Sequence, residues 1–248
     1  MAFEPGKPTE GKKLYTGLAD VSVVMINPTL AELQEKGINF KEEPIYTSIA
    51  NAGHKKVRLD IWVTNSITGL NKIAFFLEDY SKESAAGNYQ FINAYGQSTW
   101  GKSVEDVTER LSWFNTEGMK LAKQGEVELV DFLKNLLSIG KDNKAGIDKI
   151  EKLFNGDVSE LKDIFTKFAE RKVQVLFVVK ESNGEWYQNI YARYFSRAGT
   201  TSTTYWNKHF VGSTNLPIHQ DSFLLKEFNP AEYTLPSTDA GAESDPWA

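Results

Sequence analysis

The reading of this chain turns on Tyr89-Gln-Phe-Ile-Asn-Ala-Tyr95-Gly-Gln-Ser-Thr-Trp100-Gly-Lys-Ser103. Tyr89, Phe91, Asn93 and Tyr95 alternate with Gln90, Ile92 and Ala94, the period of a strand with two unlike faces. Gly96 breaks the alternation, a polar segment ends on Trp100, and a long helical block follows. Two chemistries fit this junction. Gly96–Ser103 satisfies G-x-x-x-x-G-K-[ST], in which backbone N–H groups wrap a phosphate, Lys102 neutralises it and Ser103 holds magnesium. In the other, an aromatic strand ending in a glycine and an exposed tryptophan offers nucleobases a stacking platform, worth about 1–3 kcal/mol per base.

Three features count against the phosphate loop. The strand feeding such a loop is normally buried on both faces, whereas this one carries Gln90 and Asn93. Trp100 is bulky and sits directly before the second glycine. The only strand placed to hold magnesium, Val173–Val179, ends in Lys180-Glu181 with no aspartate. Nucleotide binding through Gly96–Ser103 stays as the alternative, and a phage structural or assembly protein as a third reading without specific residues.

Towards the N-terminus, residues 1–13 read as a flexible arm rich in Gly, Pro, Lys and Glu. Leu14–Ile26 predicts a strand. Asn27-Pro-Thr29 opens a short helix that Gly37 closes, and Pro44–Ala50 predicts a second strand. Val57, Leu59, Ile61 and Val63 alternate with Arg58, Asp60 and Trp62, a half-buried strand with a basic and aromatic outer face. A turn at Ile67–Leu70 leads into a strand over Lys72–Tyr80.

Towards the C-terminus, residues 102–171 carry four apolar faces at helical spacing, around Val104–Leu111, Leu121–Leu137, Ile147–Phe154 and Leu161–Phe168. Their carboxylates outnumber their cations, so this helical insertion suits packing or protein contacts better than DNA. Val173–Val179 is apolar on both faces and predicts a central strand. Asn183-Gly184 is a hairpin signal, and the returning strand puts Tyr187, Tyr191 and Arg193 on one face. Between Arg171 and Val211, Arg171, Lys172, Lys180, Arg193, Arg197 and Lys208 face only Glu181 and Glu185. Such local charge suits a groove that tracks a phosphate backbone. Beyond it Asp221, Glu227, Glu232, Asp239, Glu243 and Asp245 face one lysine, Lys226, and residues 236–248 read as a disordered acidic tail.

The 248 residues carry a net charge of −5, so a nucleic-acid binder must segregate its charge. There is no cysteine, which excludes disulfides and cysteine zinc sites. His54, His209 and His219 lack metal spacing, and no apolar run has membrane-spanning length. A soluble, cytosolic protein with no membrane contact is expected.

The 91–100 segment, Trp113-Phe114, the run KQGEVELVDFLKNLL at 123–137 and YQNIYARYFSRA at 187–198 together resemble a family of tailed-phage replication proteins that bind single-stranded DNA. In that family the Gly-Gln-Ser/Thr-Thr-Trp segment recurs without the following Gly-Lys-Ser, which implies that the nucleotide-loop match is accidental. The resemblance implies an α+β, mainly β fold. It is an oligonucleotide-binding (OB-type) β-barrel over 14–235, interrupted by the insertion at about 102–171. Strand count and periodicity alone would also allow a sandwich. The expected role is to coat single-stranded DNA in phage replication, recombination or repair, in the cytoplasm of the infected bacterium, without cofactor, metal or catalytic residue. Candidate DNA contacts are Lys55, Lys56, Arg58, Trp62, Lys72, Tyr89, Phe91, Tyr95, Trp100, Tyr187, Tyr191, Arg193, Arg197, Tyr205, Trp206 and Lys208. The tail, with Asp239, Glu243, Asp245 and Trp247, is the expected contact for replication or recombination proteins, and self-association on DNA is a further expectation.

Overall fold

The computed structural model describes residues 17–139, 144–167, 171–182 and 185–198. Strand β1 (Gly17–Ile26) sends Ala19, Val21 and Val23 into the core, with a bulge between Val23 and Met25. It ends at Asn27, whose positive φ of 40° turns the chain while its Oδ1 accepts from the Asp60 N–H at 2.7 Å. Asparagine is one of the few side-chain-bearing residues that tolerate such a φ. Helix α1 (Leu30–Glu35) starts on a capping box. Thr29 Oγ1 accepts from the Glu32 N–H at 3.3 Å, and the Glu32 carboxylate accepts from the Thr29 N–H at 2.7 Å.

Of the strand expected over 44–50, only β2 (Thr47–Ile49) forms. Strand β3 (Lys55–Asn65) and strand β4 (Gly69–Glu78) follow as a long hairpin, paired from Lys56↔Glu78 to Asn65↔Gly69. Val57, Leu59, Ile61 and Val63 point inward, as their alternation requires, and meet Ile73, Phe75 and Leu77 of β4. The next segments form a small second sheet: β5 (Tyr89–Ile92), β6 (Ser98–Gly101) and, across helix α2 (Val104–Arg110), β7 (Lys120–Leu121), in the order β6-β5-β7. Three helices follow, α3 (Glu126–Leu136), α4 (Lys144–Phe154) and α5 (Ser159–Lys167), before β8 (Lys172–Ser182) and β9 (Glu185–Arg197).

The larger sheet is antiparallel throughout and runs β4-β3-β1-β8-β9, with β2 sharing the β1 side of β3 beyond the end of β1. β8 is central, as its double-sided apolar pattern predicts. The fold is therefore α+β, mostly β. It is not a closed barrel: among the described residues no ladder joins β4 to β9. The two edges still face each other across the core, where the Phe75 and Phe195 rings lie 5.9 Å apart.

The helices between β4 and β8 are not an appendage. Phe132 of α3 sits between the sheet edges, 5.4 Å from the Phe75 ring and 5.1 Å from that of Phe195. Leu129, Leu133, Ile150, Leu153 and Leu161 join the same core. Helices α3 to α5 of the expected insertion at 102–171 thus pack into the core of the larger sheet, whereas its first part, α2 and Phe114, packs on β5 and leads into the short strand β7. Gly125 opens α3 where the chain crosses β4. Its φ is +79°, and a Cβ there would lie 2.2 Å from the Phe76 carbonyl oxygen, so only glycine fits. The 1–13 arm and the 236–248 tail lie outside the described residues.

Candidate nucleic-acid interface

The face of β3 and β4 that turns away from the helices is set by strand parity. Cross-strand partners there are Lys56↔Glu78, Arg58↔Phe76, Asp60↔Ala74 and Trp62↔Lys72. Its two halves differ. The half around Trp62 is covered: Phe40 packs edge-on against the indole at 6.5 Å, and Trp62 is only 8% exposed. Beneath the same cover, Lys72 Nζ lies 5.7 Å from the Trp62 ring and 3.2 Å from Asp60 Oδ2, with a side chain 8% exposed. Burial pulls the Lys72 ammonium below its usual range, against the opposing charge of Asp60. Tyr46 closes the cover, its hydroxyl donating to the Pro28 carbonyl at 2.7 Å. Burial and then the Asp60 charge push that phenol well above its ordinary value. Trp62 and Lys72 thus lack the exposure that stacking and phosphate contact need. Loop residues from outside the strand supply the reason.

The other half is open. Phe76 is 53% exposed, a large apolar ring on the surface of a strand. Opposite it Arg58 donates from Nε to Asp60 Oδ1 at 2.7 Å and from Nη2 to Asp60 Oδ2 at 2.8 Å. Lys56 Nζ lies 3.3 Å from Glu78 Oε1, at the end of a side chain 41% exposed. Glu78 Oε2 also holds His54 Nε2 at 2.6 Å, and the His54 ring packs on Tyr80 at 4.3 Å. Lys55 is turned aside, donating to the Asn155 carbonyl at 2.8 Å. The open half is a strip of Arg58, Phe76, Lys56, His54 and Tyr80.

Three of these residues escape the sequence reading. Phe76 had a signal: in a strand, Phe75 and Phe76 cannot both face inward. His54 and Tyr80 flank the ends of β3 and β4, where alternation stops, and offered none.

The 89–103 stretch behaves differently. Asn93 accepts at Oδ1 from the Tyr95 and Gln97 N–H groups, both at 3.0 Å, and so knots a tight turn around Gly96. Residues 98–101 then return as β6, antiparallel to β5 from Ile92↔Ser98 to Tyr89↔Gly101. The backbone that a phosphate loop would wrap around its ligand is here a hairpin. Ser103 is the N-cap of α2, its hydroxyl accepting from the Asp106 N–H at 3.2 Å, and the Lys102 N–H donates to Asp106 Oδ2 at 2.9 Å. Phe91 is buried against Val107 and Phe114, with Tyr89 half-buried beside it and its hydroxyl donating to Glu83 at 3.1 Å. Phe91 therefore presents no ring face to a base. The Tyr95 hydroxyl donates to Glu117 at 2.5 Å while Lys144 Nζ lies 5.0 Å from its ring. Trp100 is exposed, but on the smaller sheet.

On β9 the register shifts between Phe177↔Ile190 and Val175↔Phe195, so the strand carries extra residues over 191–194. Alternation does not run through that bulge. The expected common face of Tyr187, Tyr191 and Arg193 loses its basis. Tyr191 is half-buried and Arg197 exposed, whereas the side chains of Tyr187 and Arg193 lie outside the described residues. So do Tyr205, Trp206 and Lys208 and the tail residues Asp239, Glu243, Asp245 and Trp247. Among the described residues no His, Cys, Asp and Glu group has metal-holding geometry, and no helix is long and apolar enough to cross a membrane. Comparison with protein-family models, curated proteins and solved structures found no match.

Proposed function

We propose that the chain binds single-stranded DNA with little sequence preference, on the open half of the β3–β4 face. The observation that carries this reading is the exposed Phe76 ring, paired across the ladder with the part-buried Arg58 and flanked by Lys56. An exposed ring with a guanidinium and an ammonium beside it offers a nucleobase a flat stacking partner and cations near its phosphates. The strand order supports the same reading. Leaving aside the short β2, the order β4-β3-β1-β8-β9, with helices between β4 and β8, is one that a partly open Greek-key barrel of the oligonucleotide-binding type would have. In that type nucleic acid lies on the face of the second and third strands, here β3 and β4. The resemblance to tailed-phage proteins puts the proposed work in phage replication, recombination or repair, with the acidic C-terminal segment as a contact for partner proteins.

A fluorescent single-stranded oligonucleotide, titrated at several salt concentrations with and without magnesium-ATP, tests the proposal. Binding is expected to weaken with salt with a log–log slope of about −0.7 per phosphate engaged, and to ignore ATP. Absence of DNA binding, with saturable ATP binding lost in Lys102→Ala, would replace this reading with nucleotide binding at Gly96–Ser103.

A further inference from the structure

We infer that the open edge of β2 is an interface between two copies of this chain, paired as antiparallel strands about a two-fold axis at Thr47. Among the described strands β2 pairs with β3 alone, and all three of its residues are exposed. The ladder towards β3 uses every second residue. The Tyr46 carbonyl accepts from the Arg58 N–H at 2.7 Å, and the Ala50 N–H donates to the His54 carbonyl at 2.9 Å. The odd-numbered residues Ile45, Thr47 and Ile49 therefore turn their backbone N–H and C=O groups to the open side.

The side chains select the partner. Thr47 lies across from the inward-facing Val57 and Ile49 from Lys55, so Ile45, Thr47 and Ile49 share the helix-side face by alternation. Ile45 is 75% exposed and Ile49 69%. Residues 44–50, Pro-Ile-Tyr-Thr-Ser-Ile-Ala, contain no charge, although solitary strand edges are normally guarded by lysine or another charged residue. A two-fold axis at Thr47 sets Ile45 opposite the partner's Ile49, and Ile49 opposite the partner's Ile45. Both exposed isoleucines of each copy are then covered, no like charges meet, and the outward N–H and C=O groups bond to their equivalents. The segment is complementary to itself, as an isologous interface requires. A stable interface buries about 1,200 Å² or more. A strand pair this short buries less, so the dimer is a weak and concentration-dependent one.

Sedimentation velocity of the full chain, from micromolar to near-millimolar concentration and without DNA, tests the interface. The wild type is expected to shift from monomer towards dimer. Thr47→Pro removes an N–H that β3 does not use, so the fold is kept while the central bonds across the axis are lost and the dimer disappears. Ile49→Lys takes a covered isoleucine from each copy and weakens association about 100-fold. Adding Ile45→Glu to Ile49→Lys sets opposite charges against each other across the axis and recovers part of that loss. Because the chain has no cysteine, Thr47→Cys with a short bis-maleimide traps even a weak dimer. Ile67→Cys, exposed at the β3–β4 turn, measures random collision. Circular dichroism and a thermal melt accompany each variant, and if Thr47→Pro does not fold, the isoleucine variants decide. A wild type that stays monomeric, with Thr47→Cys linked no faster than Ile67→Cys, would overturn the inference. So would a dimer that survives both Thr47→Pro and Ile49→Lys. Dimerisation is read without DNA, so this interface and the proposed function fail separately.

Discussion

The two hairpins β3–β4 and β5–β6 both carry aromatic residues in alternation with polar ones, and their aromatic sides meet opposite fates. Each alternates aromatic or apolar residues with polar ones, and each carries glycine nearby. In β5–β6 the aromatic side is consumed locally, because α2 and Phe114 fold back over Phe91 and form a small core of their own. In β3–β4 the inner side meets the large helices, and the outer side is covered only as far as Phe40 and Tyr46 reach. An aromatic strand stays open to solvent where the chain fails to supply its own cover. Composition does not decide this. The partner does.

The sharpest way to break the contrast is Phe91→Ala. Removing a buried ring should cost about 3–5 kcal/mol in chemical denaturation, with the DNA affinity of the folded fraction unchanged. Normal stability with lost affinity would move the binding surface to β5–β6. Phe76→Ala should do the reverse. It is expected to weaken single-stranded DNA binding by about 1–3 kcal/mol per base stacked, while stability stays within about 0.5 kcal/mol.

A smaller effect is expected at the cover itself. Thr29→Ala removes the cap of α1 and should cost about 1 kcal/mol in a thermal or urea melt. The smallest effect is one of pH. The Thr29 N–H, donating to the Glu32 carboxylate, holds that carboxyl below its ordinary value. A depressed acid contributes stability that is present above its unfolded value of 4.5 and is lost as pH falls through the lower folded value. Glu32→Gln should therefore flatten the acid limb of the stability curve below about pH 4.5 and leave neutral pH little changed apart from the weakened cap. An identical acid limb in both proteins would remove Glu32 from the account.

Much of the fold was legible because its signals are periodic. The inward row Val57, Leu59, Ile61 and Val63 and helices α2 to α5 appear where the spacing predicts them, except that Leu121, expected on the second helical face, lies exposed in β7. The double-sided apolar run of β8 marks it as an inner strand, and Asn27-Pro28-Thr29 with Gly37 brackets α1. What escaped has a physical cause in each case. Ser98–Gly101 is a polar strand that pairs with β5 alone, so it has no buried row to betray it. The burial of Trp62 depends on Phe40, and nothing within β3 reports a contact from outside it. The β9 bulge shifts parity without leaving a glycine or proline to mark the place. Of the strip proposed above, Lys56 and Arg58 lie on the outer face that the alternation predicts. Phe76 was recoverable by parity, and the bond between Arg58 and Asp60 only from coordinates.

Photo-crosslinking of an oligonucleotide carrying 5-iodouracil, followed by mapping of the modified peptides, tests the central claim most directly. The expected result is attachment within residues 54–80, at Phe76 or Tyr80, competed by unlabelled single-stranded DNA and lost in Phe76→Ala. Attachment confined to residues 89–103, with the 54–80 peptides unmodified, would contradict it and return the binding surface to the β5–β6 hairpin.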